Sequence, residues 1–139
     1  MKNRYAFDAN VIISAFLFKN SKPSQALKRA QTIGFVLLSD EIFTEIEEVI
    51  LRPKFDRYLS LTKKQELLED LLKFSLSINP TAAIDECRDP KDNKYLELAV
   101  VGQAECIVTG DNDLLVLHPF RGINILTVRD FLAINLNET

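Results

Sequence analysis

Asp8, Asp92, Asp111, Asp113 and one of the pair Glu45 and Glu47 are acids, drawn from separate segments, that could hold a divalent metal ion with oxygen atoms alone. Carboxylates gathered at one point repel one another and raise their own pKa values unless a cation neutralises them. Oxygen-only ligands select a hard ion, so Mg²⁺ or Mn²⁺ is expected, with water completing the octahedron and phosphate oxygens as the natural third party. The single histidine, His118 in Leu117-His118-Pro119-Phe120, excludes a mechanism built on paired histidines as acid and base, and it reads as structural.

The elements that must position these acids follow from hydrophobic patterning. Residues 5–13 are mainly apolar and β-compatible up to Phe7, where Asp8 and Asn10 interrupt them as at the end of a buried parallel strand, the first strand. Residues 24–33 read as a helix, punctuated by Gly34 before the strand run Phe35-Val36-Leu37-Leu38. Ser39 or Asp40 can cap the next helix, which runs to about Leu51 and ends before Arg52-Pro53. Thr62-Lys63-Lys64-Gln65 supplies a capping box for a further amphipathic helix through Phe74, and residues 75–79 read as a short third strand. Asp89-Pro90 combines an N-cap with proline at the first helical position, opening a helix to Val101 and Gly102. Cys106-Ile107-Val108-Thr109 and residues 123–126 supply the last strands. Strands alternating with helices imply an α/β fold, with a parallel sheet covered on both faces.

In such a fold ligands bind at the carboxyl ends of the strands. Asp8 follows the first strand, and Asp111 and Asp113 follow the strand ending at Thr109. Crossover helices run antiparallel to the strands, so their N-termini lie at the same edge, which draws in Asp92 and the second turn of the helix after the second strand. On that helix Ile42, Phe43, Ile46, Val49 and Ile50 form the apolar stripe. Glu45 and Glu47 fall on its opposite borders, and helical geometry does not choose between them, whereas Glu41 and Glu48 lie farther out and read as solvated.

Each acid has a structural explanation when taken singly. Asp89 and Asp92 favour a helix N-terminus through the macrodipole, Asp113 could be an N-cap, and Glu45 could be an ordinary boundary residue. Asp8 is harder to explain away, because an acid at the end of a buried strand is desolvated unless something compensates it. Convergence of several acids is the stronger argument.

A chain of 139 residues, 47% hydrophobic, is expected to form one domain over 1–139 with a core that needs no disulfide or structural metal. Cys87 and Cys106 are too far apart for a zinc knuckle or redox pair and read as buried, reduced thiols, which points to a reducing compartment. The N-terminus lacks an apolar signal core and no run approaches the ~20 apolar residues of a membrane span, so a soluble cytoplasmic protein is expected. With 17 Lys+Arg against 20 Asp+Glu, any grip on nucleic acid must come from local basic patches. Lys19, Lys22, Arg52, Lys54, Lys91 and Lys94 lie near predicted helix ends, where some could hold a phosphate backbone, although an ordinary solvated cation is the default reading of each.

The sequence resembles the PIN-domain ribonucleases, particularly the compact group assigned as toxin components of toxin–antitoxin modules. The resemblance covers nearly the whole chain. It rests on Asp8-Ala9-Asn10-Val11, on Ser39 through Glu45 to Val49 with Arg52-Pro53-Lys54-Phe55, on Asp89-Pro90-Lys91-Asp92-Asn93 with Leu96-Glu97-Leu98-Ala99, and on Thr109-Gly110-Asp111-Asn112-Asp113-Leu114. Each motif alone is weak; their order and positions make the signal. The resemblance implies a three-layer α/β/α fold with a mainly parallel sheet of about five strands. It assigns metal binding to Asp8, Glu45, Asp92 and Asp111, and so selects Glu45 over Glu47. Asp113 matches a more variable fifth acid, and Asn10 and Thr109 match polar positions beside the metals. It implies cleavage of single-stranded RNA with Mg²⁺ or Mn²⁺, in which one ion activates the attacking water and a second, ~3.5–4 Å away, stabilises the leaving oxygen. A cognate antitoxin and a homodimer are the partners it implies.

Rival readings are a Mg²⁺-dependent phosphatase of the haloacid dehalogenase class, a response-receiver domain, and a PIN domain that binds RNA or protein without cutting. The first lacks its second Asp, because Asn10 stands there, and the second lacks paired acids after the first strand and a late lysine. The intact acids weigh against the third.

Overall fold

The computed structural model describes residues 3–81 and 83–134; residues 1, 2, 82 and 135–139, including both ends of the expected 1–139 domain, lie outside the described residues. The chain runs β1 (Asn3–Phe7), α1 (Ala9–Leu17), α2 (Lys22–Ile33), β2 (Gly34–Leu38), α3 (Asp40–Ile50), α4 (Leu61–Phe74), β3 (Ser75–Ser77), α5 (Asn93–Val101), β4 (Cys106–Val108), α6 (Asn112–Leu115), β5 (Asn124–Leu126) and α7 (Val128–Leu132). Short 3₁₀ turns at Pro53–Phe55 and Pro90–Asp92 precede α4 and α5.

The five strands form one parallel sheet in the order β3-β2-β1-β4-β5. Helices lie on both faces. Tyr5 and Phe7 share one face of β1 and meet Phe131 of α7 edge-on, with ring centroids 5.4 and 5.9 Å apart. Ala6 points the other way, beside its register partner Leu37, and there Gly102, at the end of α5, comes so close to Leu37 that an added Cβ would lie 2.6 Å from its Cδ1. Val36, Ile107, Ile46, Leu96 and Leu98 are buried between these layers, each contributing roughly 1.5–3 kcal/mol relative to an exposed side chain.

From β1 the chain builds outward through β2 and β3, then returns to the other side of β1 to start β4. That reversal is a topological switch point, where adjacent strand ends diverge and leave a crevice. Phe7 pairs with Val108, so the residues leaving the two strands, Asp8 and Thr109, emerge side by side at the crevice.

The expectations hold for the five parallel strands and differ at several boundaries. The first strand stops at Phe7, where Asp8 and Asn10 were expected to end it, whereas the helix that follows, Ala9–Leu17, was not anticipated. Val11, Ile12 and Ile13 are β-branched or aliphatic and buried, a run that period alone cannot assign, and the Asp8 carboxylate decides the matter by accepting a hydrogen bond from Asn10 N–H as an N-cap. Helix α4 begins at Leu61, with Ser60 rather than Thr62 capping it through Lys63 N–H. Asp111, not Asp113, caps α6, and α7 was not anticipated. Ser39 is the cap of α3, as one of the two alternatives had it. Cys87 and Cys106 are buried free thiols, and burial pushes Cys106 up to about 12.

Candidate functional site

Asp8 is buried at the end of β1, and each of its oxygens has a partner: Oδ1 accepts from Asn10 N–H at 3.0 Å and Oδ2 from the Thr109 hydroxyl at 2.8 Å. Thr109 Oγ1 also accepts from Asp111 N–H at 3.0 Å, so one fully buried hydroxyl ties the acid after β1 to the acid after β4. Asp111 Oδ1 in turn accepts from Asp113 N–H at 2.9 Å. Asn10 itself is exposed, and the contact it makes here is through its backbone.

Asp92 comes to the same place from the 3₁₀ turn before α5. Asp92 is 9% exposed, and its Oδ2 is buried without a hydrogen-bond partner. Burial first, then Asp111, Asp8 and Asp89, push its pKa from 3.8 up to about 7. The face behind it continues inward through Leu96 and Ala99, both buried, so the helix cannot rotate to take the acid into solvent.

Asp113 lies on one flank, where carboxylate oxygens of Asp89, Asp92 and Asp113 all fall within 4.8 Å of one another. Arg88, exposed, pairs with Asp113. Glu45 lies on the other flank, held by an ion pair with Lys94, two residues after Asp92. Tyr95 connects the parts: its buried hydroxyl accepts from Ala9 N–H at 3.1 Å, and burial with the negative charges of Asp8, Glu45 and Asp92 raises its pKa far above the ordinary value. Asp8 and Asp111 are thus linked through Thr109 and Asp92 interacts with both, while the acids whose oxygens approach within 4.8 Å of one another are Asp89, Asp92 and Asp113, with Glu45 on the other flank.

Sequence reasoning treated Asp89 only as a cap and did not connect Lys94 with Glu45 or Tyr95 with Asp8. The Asp89-Pro90 pair carried the first clue, since a cap one turn before an inward-facing acid must lie near it. Nothing in the sequence links Lys94 to a residue 49 positions earlier. His118 is placed as expected of a structural residue, with Nδ1 accepting from Ile125 N–H at 2.8 Å.

The donor set is oxygen only, buried on one side and self-repelling, and it includes an unpartnered carboxylate oxygen. Those properties fit a hard divalent cation and oppose a soft one, which would want thiolate or imidazole. Cys87, the nearest thiol, is buried, its Sγ directed at the Asp113 carbonyl at 3.4 Å, and burial raises its pKa.

The sequence profile of the PIN domain matches residues 4–113. The chain is 33% identical over 124 residues to the uncharacterized protein MJ1680 of Methanocaldococcus jannaschii, an alignment covering 85% of this chain and 77% of that one. Its fold resembles that of PAE2754 from Pyrobaculum aerophilum, with a TM-score of 0.62 and 14% identity over 94% of this chain and 87% of the other. It also resembles a chain of VapBC2 from Rickettsia felis, solved bound to a DNA fragment from their promoter, with a TM-score of 0.60 and 12% identity over 89% of this chain and 98% of that chain. The phosphatase and receiver readings gain nothing from these matches. A profile match spanning all four acidic motifs, on a parallel sheet whose switch point gathers those acids, identifies the chain as a member of the PIN-domain family.

Proposed function

We propose that this protein is an endoribonuclease that hydrolyses phosphodiester bonds of single-stranded RNA with Mg²⁺ or Mn²⁺, and that it is the toxin of a toxin–antitoxin module. The observation that carries the reading is Asp92, an acid pushed up to about 7 and left with an unpartnered buried oxygen beside Asp8 and Asp111 in a PIN domain. A fold tolerates that arrangement at a cost, and a cation removes the cost.

Asp8, Glu45, Asp92 and Asp111 are the residues proposed to hold the ion, with Asp113 completing the acid set. A divalent ion bound there supplies activation of water and neutralisation of charge on the phosphodiester. The chain's own groups do the positioning. Thr109 fixes the spacing of Asp8 and Asp111, Tyr95 holds the β1–α1 junction, and Lys94 keeps Glu45 at the border of the site. Without the ion, Asp92 carries a proton near neutral pH.

Similarity in fold to a chain of a VapBC complex supports a cognate antitoxin as protein partner, and a homodimer, a single domain over 1–139 and a cytoplasmic setting complete the proposal. No helix among the described residues is long and apolar enough to cross a membrane, and the buried free cysteines suit a reducing compartment. The test is incubation of purified protein with labelled single-stranded RNA and DNA in Mg²⁺, Mn²⁺ or EDTA. Cleavage of RNA with either ion and none in EDTA is expected; undiminished cleavage in EDTA overturns the reading.

A further inference from the structure

Far from the acids, an aromatic and basic cluster stands on the surface. Phe18, after α1, and Tyr58, between α3 and α4, are 49% and 47% exposed and meet edge-on with centroids 5.6 Å apart. Arg57 lies over the Tyr58 ring at 5.3 Å and Lys54 over the neighbouring Phe55 ring at 5.0 Å. Lys19, Arg52, Lys54 and Arg57 are exposed, and among the described residues none has an ion-pair partner. Lys63, Arg88, Lys94 and Arg121 pair with acids, while Lys22, Lys28, Lys73 and Lys91 are also in no ion pair among the described residues but have no exposed ring pair like Phe18 and Tyr58 beside them.

The segment is held in shape from beneath. Lys64, 1% exposed, donates to Asp56 Oδ1 at 2.7 Å and to the Arg52 carbonyl at 3.4 Å, which fixes the backbone that carries Arg52, Lys54, Arg57 and Tyr58. It also pairs with the one acid of that segment, the exposed Asp56, which the exposed Arg52, Lys54 and Arg57 outnumber in a chain whose net charge is −3.

We propose that this cluster is a docking platform for single-stranded RNA outside the cleavage site, with bases stacked on Phe18 and Tyr58 and phosphates held by the four cations. The inference rests on the nuclease reading above. Stacking on aromatic faces beside cations is how single strands are held without sequence readout, since every base has a π-face. Charge complementarity favours a polyanion over a protein partner, which would leave exposed, unpaired cations around a half-buried ring pair unanswered. The placement suits one continuous strand. Helix α1 starts beside Asp8 and ends at Phe18, and α3 carries Glu45 and leads to Arg52, so two packed helices bear acids near one end and the platform at the other. Along α3, Glu45 and Arg52 are separated by roughly 10 Å, and along α1, Asp8 and Phe18 by roughly 15 Å, a span of a few nucleotides.

The experiment is fluorescence anisotropy in EDTA, which needs no cleavage, with a labelled RNA of about 12 nucleotides, followed by Mg²⁺-dependent kinetics on that RNA and on one of about four nucleotides. Phe18→Ala and Tyr58→Ala should each weaken binding of the longer RNA about tenfold, while Tyr58→Phe preserves it. The double variant Lys54→Gln/Arg57→Gln, at exposed positions that do not threaten folding, should lower the slope of log Kd against log salt by about 1.4. In the kinetics, KM for the longer RNA should rise with kcat unchanged, and the short RNA should be cut as by wild type. Wild-type affinity in all variants, with wild type cutting RNA, overturns the platform and leaves the nuclease reading intact. The same holds if the variants lose a protein partner instead of RNA. A wild type that neither binds nor cuts RNA overturns the nuclease reading and the platform with it.

Discussion

Replacing Asp92 by Asn should make the metal-free protein more stable at pH 8. Asp92 is buried among Asp111, Asp8 and Asp89, and its carboxyl is raised from 3.8 to about 7. The folded chain therefore keeps a proton over a range in which the unfolded chain has lost it. Stability from this group is fully present below about pH 4 and is lost as pH rises through about 7. Raising a carboxyl by that amount corresponds to roughly 4 kcal/mol of lost stability above pH 7. The Asn amide also leaves polar atoms in a dry site, at roughly 1–3 kcal/mol, so the net gain expected is about 2 kcal/mol. For a chain of 139 residues that is a Tm increase of roughly 6–10 °C.

The assay is a set of thermal melts of wild type and Asp92→Asn from pH 4.5 to 8.5 in EDTA, repeated with Mg²⁺. The difference should be largest at pH 8 and should reverse by about 1 kcal/mol near pH 4.5, where wild type is itself protonated and the amide penalty remains. Mg²⁺ should shrink it, because wild type gains about 2.7 kcal/mol at a hundredfold excess over Kd and the variant gains less. A Tm difference that ignores pH, or a variant less stable than wild type at pH 8 in EDTA, would refute the argument that this cluster is electrostatically strained.

Glu45→Gln should reduce metal-dependent RNA cleavage far more than Glu47→Gln, with equal melting temperatures for the two variants showing that folding is not the cause. Thr109→Val removes the donor to Asp8 Oδ2 and the acceptor for Asp111 N–H, and should cost about 1–3 kcal/mol in urea denaturation and weaken Mn²⁺ binding measured by calorimetry. Gly34→Ala should destabilise by about 3 kcal/mol or more in the same denaturation, because its Cβ would lie 2.1 Å from the Asn3 carbonyl oxygen across the β1–β2 pairing. A Gly34→Ala protein as stable as wild type would show that the strand pairing can open at that end without loss.

Much of the fold was legible where a local rule and the hydrophobic pattern agreed. Gly34 before Phe35-Val36-Leu37-Leu38, Ser39 before α3 and Asp89-Pro90 before the turn into α5 each mark a boundary by chemistry that acts within a few residues. Helix α1 after Asp8 was missed because the competing signals overlap: Val11, Ile12 and Ile13 satisfy a strand by composition, while the helix depends on Asp8 capping Asn10 and on the buried Tyr95 hydroxyl taking Ala9 N–H from 86 residues away. The acids were legible for a topological reason. A parallel sheet sends every strand end and every crossover N-terminus to one edge, so sequence position alone drew Asp8, Asp92 and Asp111 to that edge, while the approach of Asp89 and Asp113 to Asp92 was not legible there.

What sequence could not reach is the balance of charge at that edge. Asp8 has both oxygens satisfied, Glu45 has Lys94 and Asp113 has Arg88, yet Asp92 has one oxygen with nothing. If the acids were merely helix caps, each would be answered by the backbone N–H groups it caps, as Asp111 is by Asp113 N–H and Asp89 by Lys91 N–H. Asp92 precedes α5 but makes no such side-chain bond. Its position at a helix start therefore does not account for it, and the macrodipole alone offers at most about 2 kcal/mol against a larger desolvation and repulsion cost. Asp92 is buried, caps no helix N–H and has only another acid, Asp111, as its side-chain partner, and the buried Leu96 and Ala99 behind it hold it inward, so its surroundings favour the protonated acid over a bare carboxylate.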